Sequence, residues 1–227
     1  MLTIAFASFV TVFTALFPVI NPLGDGPIFL NMVQGCSDDV KKKLARSVSI
    51  NCFFLLLVSM LIGTQLLMFF GISLPALKLA GGAVVIAMGW NLLNQKSSSK
   101  SDDDSAAITD ANASSNAFFP LTLPLTAGPG SIATAISLVA AYQDGRPLNL
   151  LNELPAVLGT LVALLLLSIV IYLIYRESSL IQKVLGPAGT NAVMRLFAFI
   201  LLAIGVQIFI GGIKGLYVDL SQLVPVH

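Results

Sequence analysis

Residues 1–24 carry no charged side chain, and the apolar run they open continues to Gln34. As one straight helix that run would be about 50 Å long at about 1.5 Å per residue, against a bilayer hydrocarbon core of about 30 Å. It must break or turn back, and Asn21-Pro22-Leu23-Gly24-Asp25-Gly26-Pro27 supplies the place. Pro22 and Pro27 lack an N–H and clash with a preceding turn, while Gly24 and Gly26 permit backbone angles that other residues resist. A looser echo, Leu123-Pro124-Leu125-Thr126-Ala127-Gly128-Pro129-Gly130, follows later in the chain. Aligning Pro22-Leu23 on Pro124-Leu125 also places Gly26-Pro27 on Gly128-Pro129, at one offset of 102 residues. Two broken apolar segments in matching positions of two halves point to a solute site at the middle of a transporter.

The setting is a membrane. Charged residues make up 10% of the chain, against about 25% in a soluble domain, and the mean hydropathy is +0.92. Apolar runs of bilayer length without barrel-type alternation make the spans helices, so the fold class is an all-α integral membrane protein. The twelve basic residues are scattered at loops and span ends and leave a net charge of +1, which excludes a nucleic-acid surface. His227 is the only histidine, and Cys36 and Cys52 have no third or fourth soft ligand near them. No metal site, no cofactor and no enzymatic nucleophile are expected, and both cysteines read as small apolar side chains in or beside a span. The first run lacks a basic preceding region, so a removed signal peptide is not expected.

Six spans follow. The first breaks at 21–27, after which 28–34 forms a short half-helix, and Ser37 is placed to cap the next helix, with Asp38 and Asp39 in its first turn. Residues 47–77 are uncharged, too long for one upright helix, and Gly71-Ile72-Ser73-Leu74-Pro75 turns the chain between spans two and three. The third span, 76–93, carries Gly81, Gly82, Ala83, Ala87 and Gly89 as a small-residue face for close helix approach. Residues 95–116, with Ser97 to Asp104 at their centre, read as a flexible polar linker. Spans four (117–142, interrupted), five (154–175) and six (196–212) complete the second half, with Asp144, Arg146 and Pro147 in one loop and a turn at Gly186-Pro187-Ala188-Gly189. The domains are therefore 1–94, the linker 95–116, 117–213 and an amphipathic tail, 214–227. Nine of the twelve basic residues, including Lys41, Lys42, Lys43 and Arg46, fall in odd-numbered loops; Lys78, Arg146 and Lys214 do not. That asymmetry puts the odd loops in the cytoplasm and both termini outside.

Three spans per half force the second copy to insert upside down, and the third spans share weaker likenesses, Leu77-Lys78-Leu79 with Met194-Arg195-Leu196 and Ala87-Met88-Gly89 with Ala203-Ile204-Gly205. A helix interrupted at membrane depth leaves backbone groups that protein, water or a solute must satisfy. Pro27 and Pro129 suit the first turn of the helices that resume, whose free N–H groups and positive dipole ends attract a carboxylate. The predicted solute-binding residues are Asn21, Pro22, Gly24 and Gly26 in the first break and Thr126, Gly128, Pro129, Gly130 and Ser131 in the second, with Asn31 bracketing the first. Asp25 is the one acidic side chain before Asp38. It must be protonated, paired or holding a cation, which suits proton or sodium coupling, or else it caps the half-helix. Lys78 and Arg195 read as snorkelling charges, and Trp90, Tyr142, Tyr172 and Tyr175 as interface anchors. Gly205, Gly211 and Gly212 read as packing residues, and Gln207 as polar enough to line a path.

Asn21-Pro22, Gly71-Ile72-Ser73, Lys78-Leu79-Ala80-Gly81-Gly82 before Gly89, the run Pro124 to Gly130 with Ile132-Ala133, and Arg195-Leu196 leading to Gly205-Val206-Gln207 together resemble the MarC family of bacterial inner-membrane proteins. The resemblance spans about Phe6 to Ile213. It implies six spans, placement in the bacterial cytoplasmic membrane, distant similarity to amino-acid exporters of the lysine-exporter superfamily, and site roles for Asn21-Pro22 and Ala127-Gly128-Pro129-Gly130. The expected function is transport of small solutes, above all neutral amino acids, by alternating access. A structural or regulatory membrane protein without transport, and a drug-efflux protein, are the alternatives. The expected partners are the bilayer and a small solute, with a homo-oligomer left open.

Overall fold

Hydrocarbon offers no partner to backbone N–H and C=O groups, so each apolar run closes into a helix. The computed structural model describes residues 1–94, 108–143 and 153–223. They form α1 (Leu2–Ile20), α2 (Pro22–Met32), α3 (Asp38–Phe69), α4 (Leu74–Asn94), the short α5 (Ala113–Asn116), an irregular segment (Ala117–Thr126), α6 (Pro129–Gln143), α7 (Leu154–Arg176) and α8 (Ser178–Leu223). Among the described residues, five helices are long and apolar enough to cross a membrane, and the pair Ala113–Thr126 and Pro129–Ala141, bent by 68°, makes a sixth if taken as one span. The protein is an all-α membrane protein. The serine/aspartate run 97–104, Lys96, and Asp144, Arg146, Pro147 and His227 lie outside the described residues.

Leu16 and Ile20 of α1, Phe29 of α2, Leu56 of α3 and Leu164 and Ile171 of α7 build the main buried cluster. Phe54, Leu61, Leu165, Ile169 and Phe199 stay exposed on the outer faces, the arrangement expected where the bilayer is the solvent. Apart from α5 on the adjoining irregular segment and α7 on α8, each substantial contact joins an element before the linker to one after it: α1 with α7, α3 with α6 and α7, α4 with α6 and α8.

The most extensive pairing is α4 on α8. A Cβ on Gly82 would lie 2.6 Å from the Phe209 nitrogen, one on Gly89 2.8 Å from that of Leu202, and one on Gly212 2.9 Å from that of Leu79. Small residues let two backbones touch where lipid gives helices no other reason to associate. As numbering rises from Pro75 to Gly89 on α4, the partner falls from Gly215 to Ala198, so spans three and six run antiparallel, as inverted halves require. Gly205 and Gly212 serve this contact, whereas Gly211 faces open space and Gln207 is exposed on the outer face.

Several expectations are corrected. The half-helix α2 begins at Pro22 and not near Pro27, because Asn21 takes a left-handed turn (φ 51°, ψ 49°) and restarts the helix at once. Asp25 therefore lies within the first turn and caps nothing. Ser37 stands at the start of α3 without a side-chain cap bond; its N–H donates to Asp110 Oδ1 at 2.8 Å. The predicted turn at 186–189 is present as a break at Gly186 (φ 65°, ψ 175°), where two helices meet within α8, but the helix beyond it is longer than 196–212 and takes in the tail as far as Leu223. Glycine tolerates that angle, and Pro187 suits the first turn of the helix that starts beyond it. The linker's last residues, from Ile108, are packed against the first loop: Gly35 pairs with Thr109 and Cys36 Sγ donates to the Ile108 carbonyl at 3.4 Å. The first and third loops therefore share one end of the bundle. Burial, then the Asp110 carboxylate, raises the Cys36 thiol above its ordinary value, with Lys41 opposing.

Candidate functional site

The first break is a single residue long. The Asn21 N–H donates to the Phe17 carbonyl at 3.0 Å, closing α1, and the Asn21 carbonyl accepts from Asp25 N at 3.0 Å, opening α2. Its side-chain Oδ1 accepts from Gly24 N at 3.3 Å, as an N-cap should. Gly24 is required here because a Cβ would fall on the Asn21 side-chain amide, closest to Nδ2. That Nδ2 is buried and has no hydrogen-bond partner. Asp25, 4% exposed, has no ion pair or hydrogen bond to its carboxylate among the described residues. Pro22 and Gly26 are buried beside it, whereas Asn31 points outward and accepts from Gln34 Nε2 at 3.0 Å.

The second break is a ten-residue segment. Phe119 and Leu123 leave helical geometry, and the peptide bonds before Pro120 and Pro124 are cis. Two buried threonines hold the segment by the same device. Thr122 Oγ1 donates to the Ala117 carbonyl at 2.7 Å and accepts from Asn51 Nδ2 of α3 at 3.3 Å. Thr126 Oγ1 donates to the Leu121 carbonyl at 2.8 Å, which leaves the Tyr175 hydroxyl of α7 as the donor in their 2.8 Å hydrogen bond. Helix α6 then starts at Pro129, as predicted, and the Gly128 carbonyl accepts from Ser131 N at 3.0 Å.

Tyr175 links the two breaks. Thr126, Gly128, Gly130 and Ser131 line a cavity of about 10 Å³ together with Val19 of α1 and Val85 of α4, room for about one water. The Tyr175 ring stacks on Phe29, one turn beyond Asp25, with centroids 4.4 Å apart, and Tyr175 and Cys52 lie within electrostatic reach of Asp25. Of the predicted site residues, Asn21, Pro22, Gly24, Asp25, Gly26, Thr126, Gly128, Gly130 and Ser131 are all buried, and Pro129 alone is exposed. Tyr175, expected at the interface, is 1% exposed and sits between the breaks. Asn51 and Thr122 also belong to the site. Asn51 carried a legible signal, a polar amide within the uncharged run 47–77, but nothing in sequence said which way Tyr175 would face. Among the described residues no group of three or more His, Cys, Asp or Glu could hold a metal.

A family model described as MarC family integral membrane protein matches residues 6–217. The membrane protein YvbG of Bacillus subtilis (strain 168) is 32% identical over 221 residues, covering 96% of this chain and 99% of its own length. A membrane protein of Pyrococcus abyssi is 31% identical, with 92% and 96% covered, and the inner membrane protein MarC of Salmonella paratyphi A is 30% identical, with 87% and 90% covered. No solved structure matches.

Proposed function

The chain belongs to the MarC family of integral membrane proteins, and we propose that it carries small zwitterions, neutral amino acids such as glycine, alanine or serine, across the bacterial cytoplasmic membrane by alternating access. The observation that carries this reading is that Tyr175, bonded to Thr126 and stacked on Phe29, links two helix starts of opposite electrostatic character. Helix α6 begins with no charged residue in its first turn, so its positive dipole end remains available to a carboxylate. Helix α2 begins with Asp25 in its first turn and an Asn21 Oδ1 already on its free N–H groups, a start that favours an ammonium group. A zwitterion bridges the two, and the buried carboxylate of Asp25 is the group to couple its passage to a proton or to sodium. The cavity of about 10 Å³ and the committed hydroxyls of Thr126 and Tyr175 correspond to a closed state, from which residues 1–94 and 117–213, as two inverted halves, rock open in turn. The odd-numbered loops face the cytoplasm in this scheme.

Purified protein in sealed vesicles, given labelled glycine, alanine and serine under imposed proton and sodium gradients, tests the reading. Flux above that of empty vesicles is expected, and Asp25→Asn should retain exchange while losing its response to the gradient. Absence of flux in both directions from protein shown to be folded would sink the carrier reading in favour of a structural role.

A further inference from the structure

The first break borders a second cavity, of about 290 Å³, in the crook that α8 makes at Gly186. Leu23, Gly26 and Pro27 of α2 form one wall, and residues on both sides of the kink, among them Gln182, Thr190 and Phe197, form the other. Gly26 keeps the space open, for a Cβ there would stand 3.2 Å from Ile174 Cγ2 on the adjacent wall. No wall residue is charged, and neither Asp25 nor any second-break residue is among them.

Thr190 is 5% exposed, and its Oγ1 has no hydrogen-bond partner. A helical threonine ordinarily returns its hydroxyl to the carbonyl one turn back, as Thr134 does to Gly130 at 2.8 Å. For Thr190 the carbonyl four residues back belongs to Gly186, whose ψ of 175° turns it out of the helical direction. The kink that makes the cavity therefore also frees the hydroxyl on its wall. Ser178, the other wall hydroxyl, is occupied, donating to the Tyr175 carbonyl at 2.8 Å.

We infer that this cavity is a binding site for a small, mostly apolar molecule with one hydrogen-bonding group, which pairs with Thr190. The size follows from volume: an apolar protein cavity of about 150 Å³ takes benzene, so about 290 Å³ takes a body up to roughly twice that. The polarity follows from the walls. A charged or many-hydroxyl ligand would leave its groups unpaired among mostly apolar side chains, whereas a single hydroxyl satisfies the one fully buried wall group without a partner.

Two probes test the site in purified protein held in nanodiscs without any gradient, 4-fluorobenzyl alcohol and 4-fluorotoluene, followed by fluorine NMR. Saturable binding above lipid partition is expected, with the alcohol favoured about two- to tenfold, the worth of one hydrogen bond. Thr190→Val keeps the volume and should erase the preference while retaining both probes; Val193→Trp should fill the space and abolish saturable binding. Should the tryptophan variant fail to fold, the preference lost in Thr190→Val decides alone. No saturable component in the unmodified protein, or an unchanged preference in Thr190→Val, overturns the inference. Because binding is read at equilibrium, its outcome is independent of whether solute crosses at the breaks.

Discussion

The two breaks share a proline and a following Gly-Pro pair at matching positions and differ in how they satisfy the interrupted backbone. The first does it with one residue in a left-handed turn, whose side chain caps the next helix and leaves only an amide nitrogen and a carboxylate without partners. The second unwinds over ten residues and is held by hydroxyls that reach five residues back and sideways to α3 and α7. A compact break concentrates polarity at one point, and an extended one spreads it over neighbouring helices. The first therefore leaves its unpaired polarity at Asn21 and Asp25, and the second leaves the start of α6 without a charged residue in its first turn.

That contrast can be broken most forcefully at Gly130. A Cβ there lands on Val85 Cγ2 of α4, so Gly130→Val should cost about 1–3 kcal/mol or more through overpacking and sharply reduce monodisperse protein on size exclusion. Gly26→Ala, facing a flexible Ile174 terminus at 3.2 Å, should remain folded; equal losses from both would erase the difference in tightness between the breaks. Asn21→Ala comes next. It imposes a left-handed angle on alanine, about 1–2 kcal/mol, and removes a cap worth about 1 kcal/mol, so the thermal midpoint should fall clearly. Asn21→Gly should keep most of the stability, and a glycine variant as unstable as alanine would show that the left-handed turn is not what holds the first break.

Thr126→Val strips the partner from the buried Tyr175 hydroxyl and should cost about 1–3 kcal/mol. Adding Tyr175→Phe should recover part of that loss, and a double-mutant cycle with no coupling would mean the second break is not fastened through this bond. Gentlest is Pro129→Ala, an exposed first-turn position where a restored N–H is not needed. A change within about 0.5 kcal/mol is expected, with flux per folded molecule largely retained; a large fall in that flux would place Pro129 in the solute path after all.

Much of this architecture was legible because its causes are local. A bilayer forbids open backbone, so uncharged runs had to be helices, and proline and glycine had to interrupt them where they did. The spans α4 and α7 lie within two residues of their predicted limits, and the glycine face of span three meets α8 as its composition implied. The exact start of α2 was not legible, because either Pro22 or Pro27 fits a first helical turn and only the left-handed angle at Asn21 chooses between them. The reach of the helix beyond Gly186 was missed for a related reason: Pro187 suits a first helical turn, but nothing local said that the helix would begin at once and run through the tail to Leu223.

By itself, then, the sequence determined the membrane setting, the helical class, the two interruptions and the antiparallel relation of spans three and six, all consequences of charge, length, helix breakers and span parity. How each interruption would satisfy its backbone, that Tyr175 would turn inward to tie Thr126 to Phe29, and that Thr190 would keep a free hydroxyl beside a cavity were decided only in three dimensions. Those features depend on side chains more than forty residues apart arriving at one place, and a helical period gives the facing of a residue relative to its own helix but not the neighbour it will meet.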